Sequence, residues 1–151
     1  MLYLDFKDIE GAKRYFEECL RWQPKNERAI AFLGRIYMDE GKAKLEGNKI
    51  DKALESLQKS VEILPNLHEA RFHMANIYAM KGEHDRAIDE YRQLLKLFPG
   101  NEDIQFNLAV CYLKKKNYRL ARNHAEKALR INPNNKRAKG ILKDVEKRLQ
   151  Y

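Results

Sequence analysis

The stretch NLHEARFHMANIYAMKGEHDRAIDEYRQLLKLFP, residues 66–99, decides the fold, because its pattern returns in residues 100–133, GNEDIQFNLAVCYLKKKNYRLARNHAEKALRINP. Each stretch ends in a proline, so that Pro65, Pro99 and Pro133 are 34 residues apart. Pro24 precedes Pro65 by 41 residues, which is one period plus seven. A fixed period of this size indicates stacked supersecondary units.

Small and large side chains recur in register with these prolines. Twelve residues before each proline stands an alanine, namely Ala12, Ala53, Ala87 and Ala121. Eight residues before it stand Phe16, Leu57, Tyr91 and Ala125. Farther upstream, Leu33-Gly34, Met74-Ala75 and Leu108-Ala109 are followed three residues later by Tyr37, Tyr78 and Tyr112. A small residue and a tyrosine three positions apart share one helical face, where the small residue lets a neighbouring helix approach.

With these positions the sequence resembles the tetratricopeptide repeat family, whose 34-residue helix–turn–helix carries Leu-Gly-x-x-Tyr, then Ala-x-x-x-Phe, then proline. The family's tryptophan is replaced by Ile30, Arg71 and Gln105. The resemblance covers essentially the whole chain. It implies an all-α fold, an α-solenoid of antiparallel helix pairs forming a right-handed superhelix with a C-terminal capping helix. We expect one domain, 1–151, divided into a partial repeat at 1–26, repeats at 27–67, 68–101 and 102–135, and a cap at 136–151.

The period and the capping residues predict where the helices lie. First helices are expected at 26–40, 67–81 and 101–116, second helices at 8–21, 49–63, 84–97 and 117–131, and a last helix at 135–149. Asn26, Asn101 and Asn135 are expected to accept hydrogen bonds from the free amides at helix starts. Gly41 and Gly82 are expected to end helices.

Two departures from the regular period leave alternatives open. Residues 41–47 are a seven-residue insertion, about two helical turns, which could lengthen both helices of its repeat by a turn each or form a longer loop. The position of Pro24 places Met1 in the middle of a first helix, with Tyr3 at the repeat tyrosine. We expect that the chain was cut from a longer one; the alternative is a short first helix acting as a cap.

Composition and charge exclude some protein classes. With 44% apolar and 34% charged residues, the chain is too apolar for a disordered protein and too charged for a membrane-inserted one. The net charge of +8 is uneven: residues 1–113 are close to neutral, whereas 114–151 contain 13 Lys and Arg against 3 Asp and Glu. This basic quarter could attract an acidic partner or nucleic acid. Alternatively, its lysines only solvate the outer face of a cap, so nucleic acid is a minor hypothesis.

Catalysis and cofactor binding find no support in the sequence. His68, His73, His84 and His124 do not pair at helical spacing, and no phosphate-binding loop occurs. Cys19 and Cys111 are far apart and are expected to be free thiols. We therefore expect no enzyme, no metal and no cofactor. Free thiols fit a reducing compartment, and we expect a cytoplasmic protein that does not insert into membranes.

The resemblance implies a binding role, because in this family the first helices line a concave groove that holds an extended peptide or a helix. We expect a non-enzymatic protein–protein interaction scaffold. The candidate groove residues are Arg35, Met38, Phe72, His73, Asn76, Met80, Phe106, Asn107, Val110, Leu113, Lys114, Arg137 and Arg148.

Asn76 and Asn107 are the most informative of these candidates, because an amide can donate to and accept from a peptide backbone at once. Chaperone-binding members of the family clamp a C-terminal carboxylate with two asparagines and three basic residues. Asn76 and Asn107 match the asparagines and Arg137 matches one basic residue, but Phe72 and Ile141 replace a lysine and an arginine. The alternatives are a less specific peptide groove and two merely solvated asparagines.

Self-association is the other function that the sequence suggests. A stack that starts within a repeat leaves the apolar face of helix 8–21 without a neighbour, including Ile9, Phe16 and Leu20. Leu2, Leu4 and Phe6 could cover this face in part. The sequence therefore predicts a homo-oligomer, either a dimer or a concentration-dependent oligomer, through its N-terminal end.

Overall fold

The computed structural model describes residues 8–149, which form eight α-helices and no strand. The helices are α1 (Ile9–Trp22), α2 (Glu27–Glu46), α3 (Ile50–Ile63), α4 (His68–Met80), α5 (His84–Leu97), α6 (Glu102–Lys114), α7 (Tyr118–Ile131) and α8 (Lys136–Leu149). The predicted all-α fold is confirmed, and every predicted helix end except that of α2 lies within two residues of the observed one. Within the described range, none of these helices is long and apolar enough to span a membrane.

The asparagines after the prolines start helices as predicted. Asn26 Oδ1 accepts from the Ala29 amide at 3.0 Å, Asn101 Oδ1 from the Ile104 amide at 3.0 Å, and Asn135 Oδ1 from the Ala138 amide at 2.9 Å. Each bond satisfies an amide that has no partner inside the helix. Gly82 follows α4 with a φ of +79°, the left-handed conformation in which glycine is favoured.

The insertion lengthens a single helix. The first helix α2 has 20 residues, whereas α4 and α6 have 13 each, and α1, α3, α5 and α7 all have 14. All seven extra residues therefore extend α2, so that neither expected alternative, a turn in each helix or a loop, is correct. The prediction that Gly41 ends a helix is also wrong, because Gly41 is buried inside α2. A Cβ there would lie 2.7 Å from Leu57 Cγ, so the glycine allows α3 to pack closely.

The chain divides into two compact units, Met1–His73 and Met74–Tyr151, with the division inside α4. In the first unit, α2 packs against both α1 and α3. Its core includes Phe16, Ala29, Leu33 and Tyr37. Gly34 also contacts α3, where Ser60 Oγ donates to the Gly34 carbonyl oxygen at 2.7 Å.

In the second unit, α6 packs against α5, α7 and α8. The core there includes Ala109, Ala121, Ala125, Ile141 and Val145, so that alanines form much of the helix contact. The last helix, α8, buries Ala138, Ile141 and Val145 and exposes Lys136, Lys139, Lys143 and Lys147. This division into an apolar and a lysine-rich face is the one that the sequence predicted for a cap.

The exposed face of α1 differs from the predicted one. Phe16 is only 6% exposed because it packs on α2, with its ring stacked on Phe32 at 5.2 Å between centroids. Leu20 is partly buried against the same core. The large apolar residues that α1 leaves exposed are Ile9, Tyr15 and Trp22. Tyr3 and the covering residues Leu2, Leu4 and Phe6 lie outside the described range.

Candidate functional site

The two predicted asparagines meet in the second unit through one shared hydrogen-bond acceptor. Asn107, on α6, donates from Nδ2 to Oδ1 of Asn76, on α4, at 3.0 Å. The same Asn76 oxygen accepts from the Tyr91 hydroxyl of α5 at 2.5 Å. Both asparagines are half-buried, whereas Tyr91 is 1% exposed. Side chains from three helices, α4, α5 and α6, therefore meet at this amide pair.

Burial keeps the groups behind the asparagines neutral. It raises the pKa of Tyr91 well above its ordinary value, so the hydroxyl keeps its proton and remains a donor. Burial also raises the pKa of the neighbouring Cys111 thiol to about 11. No charge therefore develops behind the amide pair at neutral pH.

Phe106 and Arg137 form the next part of the site. The Arg137 guanidinium lies over the Phe106 ring, 4.5 Å from its centroid, and its Nη2 is 3.7 Å from Asp103 Oδ1. The phenyl ring and the carboxylate thus both attract the cation. To bind an anionic ligand, Arg137 must either break its contact with Asp103 or contact Asp103 and the ligand at the same time.

The remaining candidates of the second unit differ in exposure. Phe106, Val110 and Leu113 pack as partly buried residues against the core of α6, α7 and α8, so they are partly core residues. Lys114 and Met80 are exposed. Arg148 is paired with Asp144 at 3.0 Å, and its guanidinium lies 5.8 Å from the Tyr118 ring centroid.

In the first unit the candidates are less uniform. Arg35 is exposed, whereas Met38 is 7% exposed and offers little surface to a ligand. Phe72 and His73 are half-buried, and their rings meet edge to face at 6.2 Å.

His73 is linked to the extension of α2 through Glu69. Its Nε2 lies 3.7 Å from Glu69 Oε1, which accepts from Lys42 Nζ at 2.8 Å. Burial lowers the pKa of His73, and the charge of Lys42 lowers it further, against the opposing effect of Glu69. His73 is therefore neutral at pH 7, and it can donate or accept a hydrogen bond.

Sequence reasoning assigned Tyr91 only to the repeat pattern and missed its contact with Asn76. One signal was available: the other residues at this repeat position, Phe16, Leu57 and Ala125, lack a polar atom. A buried tyrosine hydroxyl needs a partner, and the facing first helix is where such a partner would be sought.

The comparisons with known proteins identify the family. Three family models, each described as tetratricopeptide repeat, match residues 1–26, 38–102 and 80–145. The chain belongs to the tetratricopeptide repeat family. The predicted resemblance is thus confirmed over most of the chain. A comparison with curated proteins found no match.

Several solved structures share this fold, among them tetratricopeptide repeat domains. The first such domain of Spaghetti (RPAP3), bound to the HSP90 peptide SRMEEVD, is 16% identical, with a TM-score of 0.74 over 78% of this chain and 94% of that one. MamA residues 41 to the end, from Desulfovibrio magneticus RS-1, is 14% identical, with a TM-score of 0.75 over 94% and 85%. The Sgt2 domain of Aspergillus fumigatus is 18% identical, with a TM-score of 0.69 over 78% and 79%. At these identities the likeness concerns the fold.

Proposed function

We propose that this tetratricopeptide repeat chain is a non-enzymatic protein–protein interaction scaffold, which binds a peptide or a helix on the first helices of its repeats. The observation that carries the proposal is the amide pair of Asn76 and Asn107, held from behind by Tyr91. Among residues 8–149, neither Asn76 Nδ2 nor Asn107 Oδ1 has a hydrogen-bond partner. A ligand backbone can supply the missing acceptor and donor.

The surroundings of the pair suit a peptide better than a small polar molecule. Phe106, Val110 and Leu113 offer apolar surface on α6, the helix that carries Asn107. A few polar groups that fix orientation beside apolar surface are typical of peptide-binding sites. Loss of either asparagine is expected to weaken binding by about 1–3 kcal/mol, because one partner of each bond would be missing.

Two structural neighbours support a peptide ligand, because both contain a bound peptide. The RPAP3 domains were determined with an HSP90 peptide and with an HSP70 peptide. The resemblance implies a carboxylate clamp in chaperone-binding members, but Phe72 and Ile141 stand here at two of its basic positions, and Ile141 is buried. The proposal for this chain is therefore a peptide groove without a commitment to chaperone tails.

Peptide display followed by titration tests the proposal. A library of random peptides is selected on the wild type, and the selected peptides are titrated against Asn76→Ala/Asn107→Ala and Lys139→Glu/Lys143→Glu/Lys147→Glu. The proposal expects loss of binding in the first variant and retention in the second. Binding that survives the asparagine change and fails with the charge reversal would instead assign function to the basic C-terminal quarter.

Self-association through α1 is a second candidate function. Ile9, Tyr15 and Trp22 favour it, because Trp22 is 81% exposed and Tyr15 is 65% exposed. Tyr15 and Trp22 are seven residues apart and share one face of α1, and exposed apolar side chains that lie together mark interaction surfaces. We expect wild-type mass measured by light scattering to rise with concentration, and Trp22→Asp to abolish the rise. A strict monomer at high concentration would eliminate this candidate.

A further inference from the structure

The first unit contains a cleft of about 480 Å³ between the first turn of α1 and the second half of α2. Its lining combines three apolar and three acidic residues, namely Ile9, Ile36, Ala43, Glu10, Asp39 and Glu40. Ala43 belongs to the seven-residue insertion, so the lengthening of α2 contributes part of this cleft. The asparagine pair of the second unit takes no part in it.

The apolar part of the cleft lacks the cover that the same repeat position has elsewhere. Ile36 directly precedes the repeat tyrosine of α2, as Ile77 and Cys111 do in α4 and α6. Ile77 and Cys111 are both 0% exposed, whereas Ile36 is only half-buried. Ile9 is 58% exposed. An occupant that removed these side chains from water would therefore be stabilised by apolar burial.

Two carboxylates of the cleft have no cation bonded to them. Among residues 8–149, neither Glu10 nor Asp39 forms an ion pair or a hydrogen bond. Glu40, by contrast, binds two lysine ammonium groups at 3.0 and 2.5 Å. The nearby Lys42 interacts with Asp39 electrostatically but is bonded to Glu69 at 2.8 Å. A ligand cation can therefore bind Glu10 or Asp39 without displacing a bonded partner.

The exposure of the lining favours a polypeptide over a small molecule. Small-molecule pockets enclose most of their ligand. Here Ile9, Glu10, Asp39 and Ala43 are all exposed, so a compact ligand would leave much of this surface uncovered. A peptide segment can place one large side chain on the apolar residues and reach the carboxylates with the next one.

We propose that this cleft binds a partner peptide in which a large apolar side chain is adjacent to a lysine or an arginine. The apolar side chain packs on Ile9, Ile36 and Ala43, and the cation pairs with Glu10 or Asp39. The site uses neither asparagine, so it goes beyond the proposed function and does not depend on it.

The first experiment varies the ligand and follows the isoleucine methyl signals of the full chain by nuclear magnetic resonance. The probes are the blocked tetrapeptides Ala-Phe-Arg-Ala, Ala-Phe-Glu-Ala and Ala-Ser-Arg-Ala. The first should shift the Ile9 and Ile36 signals saturably and leave Ile104, in the second unit, unchanged. The other two should bind at least about 5-fold more weakly, because each lacks one of the two contacts. Equal binding of all three probes, or unmoved Ile9 and Ile36 signals, would overturn the inference.

The second experiment varies the protein and uses the Ala-Phe-Arg-Ala probe. Glu10→Gln/Asp39→Asn removes the two carboxylates that lack a bonded cation, and binding should weaken by about 5-fold. The matched control Glu18→Gln/Glu46→Gln removes one carboxylate from each of the same helices outside the cleft lining. Its net charge changes equally, yet its affinity should stay within about 2-fold of the wild type because salt screens distant charges. Equal losses in both variants would indicate general attraction without a site and would overturn the inference.

Two other occupants of the cleft predict different results. If residues 1–7 fill it, the Ala-Phe-Arg-Ala probe will bind only after residues 2–7 are deleted. If a second copy of the chain fills it, the Ile36 signal will shift with protein concentration in the absence of any probe. Either result would overturn the inference and would leave the proposal for the asparagine pair untouched. Failure of that proposal, shown by peptide binding that does not need Asn76 and Asn107, would likewise leave the cleft inference standing.

Discussion

The helix pair α2 and α3 and the helix pair α6 and α7 follow the same repeat plan but are joined by different chemistry. Between α2 and α3, glycines allow close approach: a Cβ on Gly34 would lie 2.6 Å from Leu64 Cβ. Ser60 then donates to the Gly34 carbonyl oxygen at 2.7 Å. Between α6 and α7, Ala109, Ala121 and Ala125 provide the small surfaces.

The polar contact also differs between the two pairs. Gln105, buried on α6, accepts through Oε1 from His124 Nδ1 of α7 at 2.8 Å, and the His124 ring stacks on Tyr112 at 5.4 Å. Ser60 and Gly34 have no titratable group, whereas His124 has one. Added volume should therefore destabilise the pair α2 and α3, whereas acid should destabilise the pair α6 and α7.

The largest expected effect comes from added volume at Gly34. Gly34→Ala should lower the free energy of unfolding by about 2–3 kcal/mol, because its Cβ meets the base of the Leu64 side chain, which cannot move aside easily. Urea unfolding monitored by circular dichroism measures the change. Gly140→Ala is the matched control, because apart from its chain neighbours and the nearby backbone of α8 no heavy atom lies within 4 Å of a Cβ there. Gly140→Ala should raise the free energy of unfolding by about 0.5–1 kcal/mol through helix propensity. Equal effects of the two substitutions would refute the special sensitivity of Gly34 to added volume.

A smaller effect is expected from acid on the α6 and α7 pair. Burial lowers the pKa of His124 to about 4, with further lowering by the charges of Lys127 and Arg92. Between the ordinary value near 6.5 and 4, the unfolded chain therefore binds more protons than the folded one. The free energy of unfolding should fall by about 2 kcal/mol over this range as pH decreases.

His124→Gln isolates this contribution. Glutamine does not titrate, so the stability difference between wild type and variant should shrink as pH falls from 7 to 4.5. Subtracting the two pH profiles removes the contribution of carboxylates such as Glu40 and Glu69, whose pKa values are lowered by their lysine partners. A difference that is independent of pH would show that His124 is not held neutral.

The smallest effect is expected at Ser60. Ser60→Ala removes the hydrogen bond to the Gly34 carbonyl oxygen and should cost about 1 kcal/mol, equally at pH 7 and pH 4.5. Chemical unfolding at both pH values checks this. A marked pH dependence of the Ser60→Ala effect would contradict the assignment of acid sensitivity to α6 and α7.

Much of the fold follows from the sequence, because proline spacing and asparagine caps act locally. Asn26, Asn101 and Asn135 begin helices where expected, and Gly82 ends one. Gly41 shows the limit of this reasoning. A glycine can end a helix or admit a neighbouring helix, and only the packed position of Leu57 distinguishes these roles.

The candidate site was predictable in part for the same reason. Helical spacing places Asn76 and Asn107 on first helices, but it does not reveal that Asn107 donates to Asn76. Nor does it show that Met38 is nearly buried or that Tyr91 reaches Asn76 from another helix. These facts depend on contacts between helices, which a one-dimensional pattern does not contain.

The most direct test of peptide binding by the asparagine pair is a nuclear magnetic resonance titration that follows side-chain amide signals. A display-selected peptide is added to the labelled protein, and the Asn76 and Asn107 signals are compared with the backbone signals of Lys139 and Lys143 on the exposed face of α8. The account predicts saturable shifts of the two asparagine signals at the affinity measured by titration, with the Lys139 and Lys143 signals unchanged. Shifts confined to Lys139 and Lys143, with the asparagine signals unmoved, would contradict it.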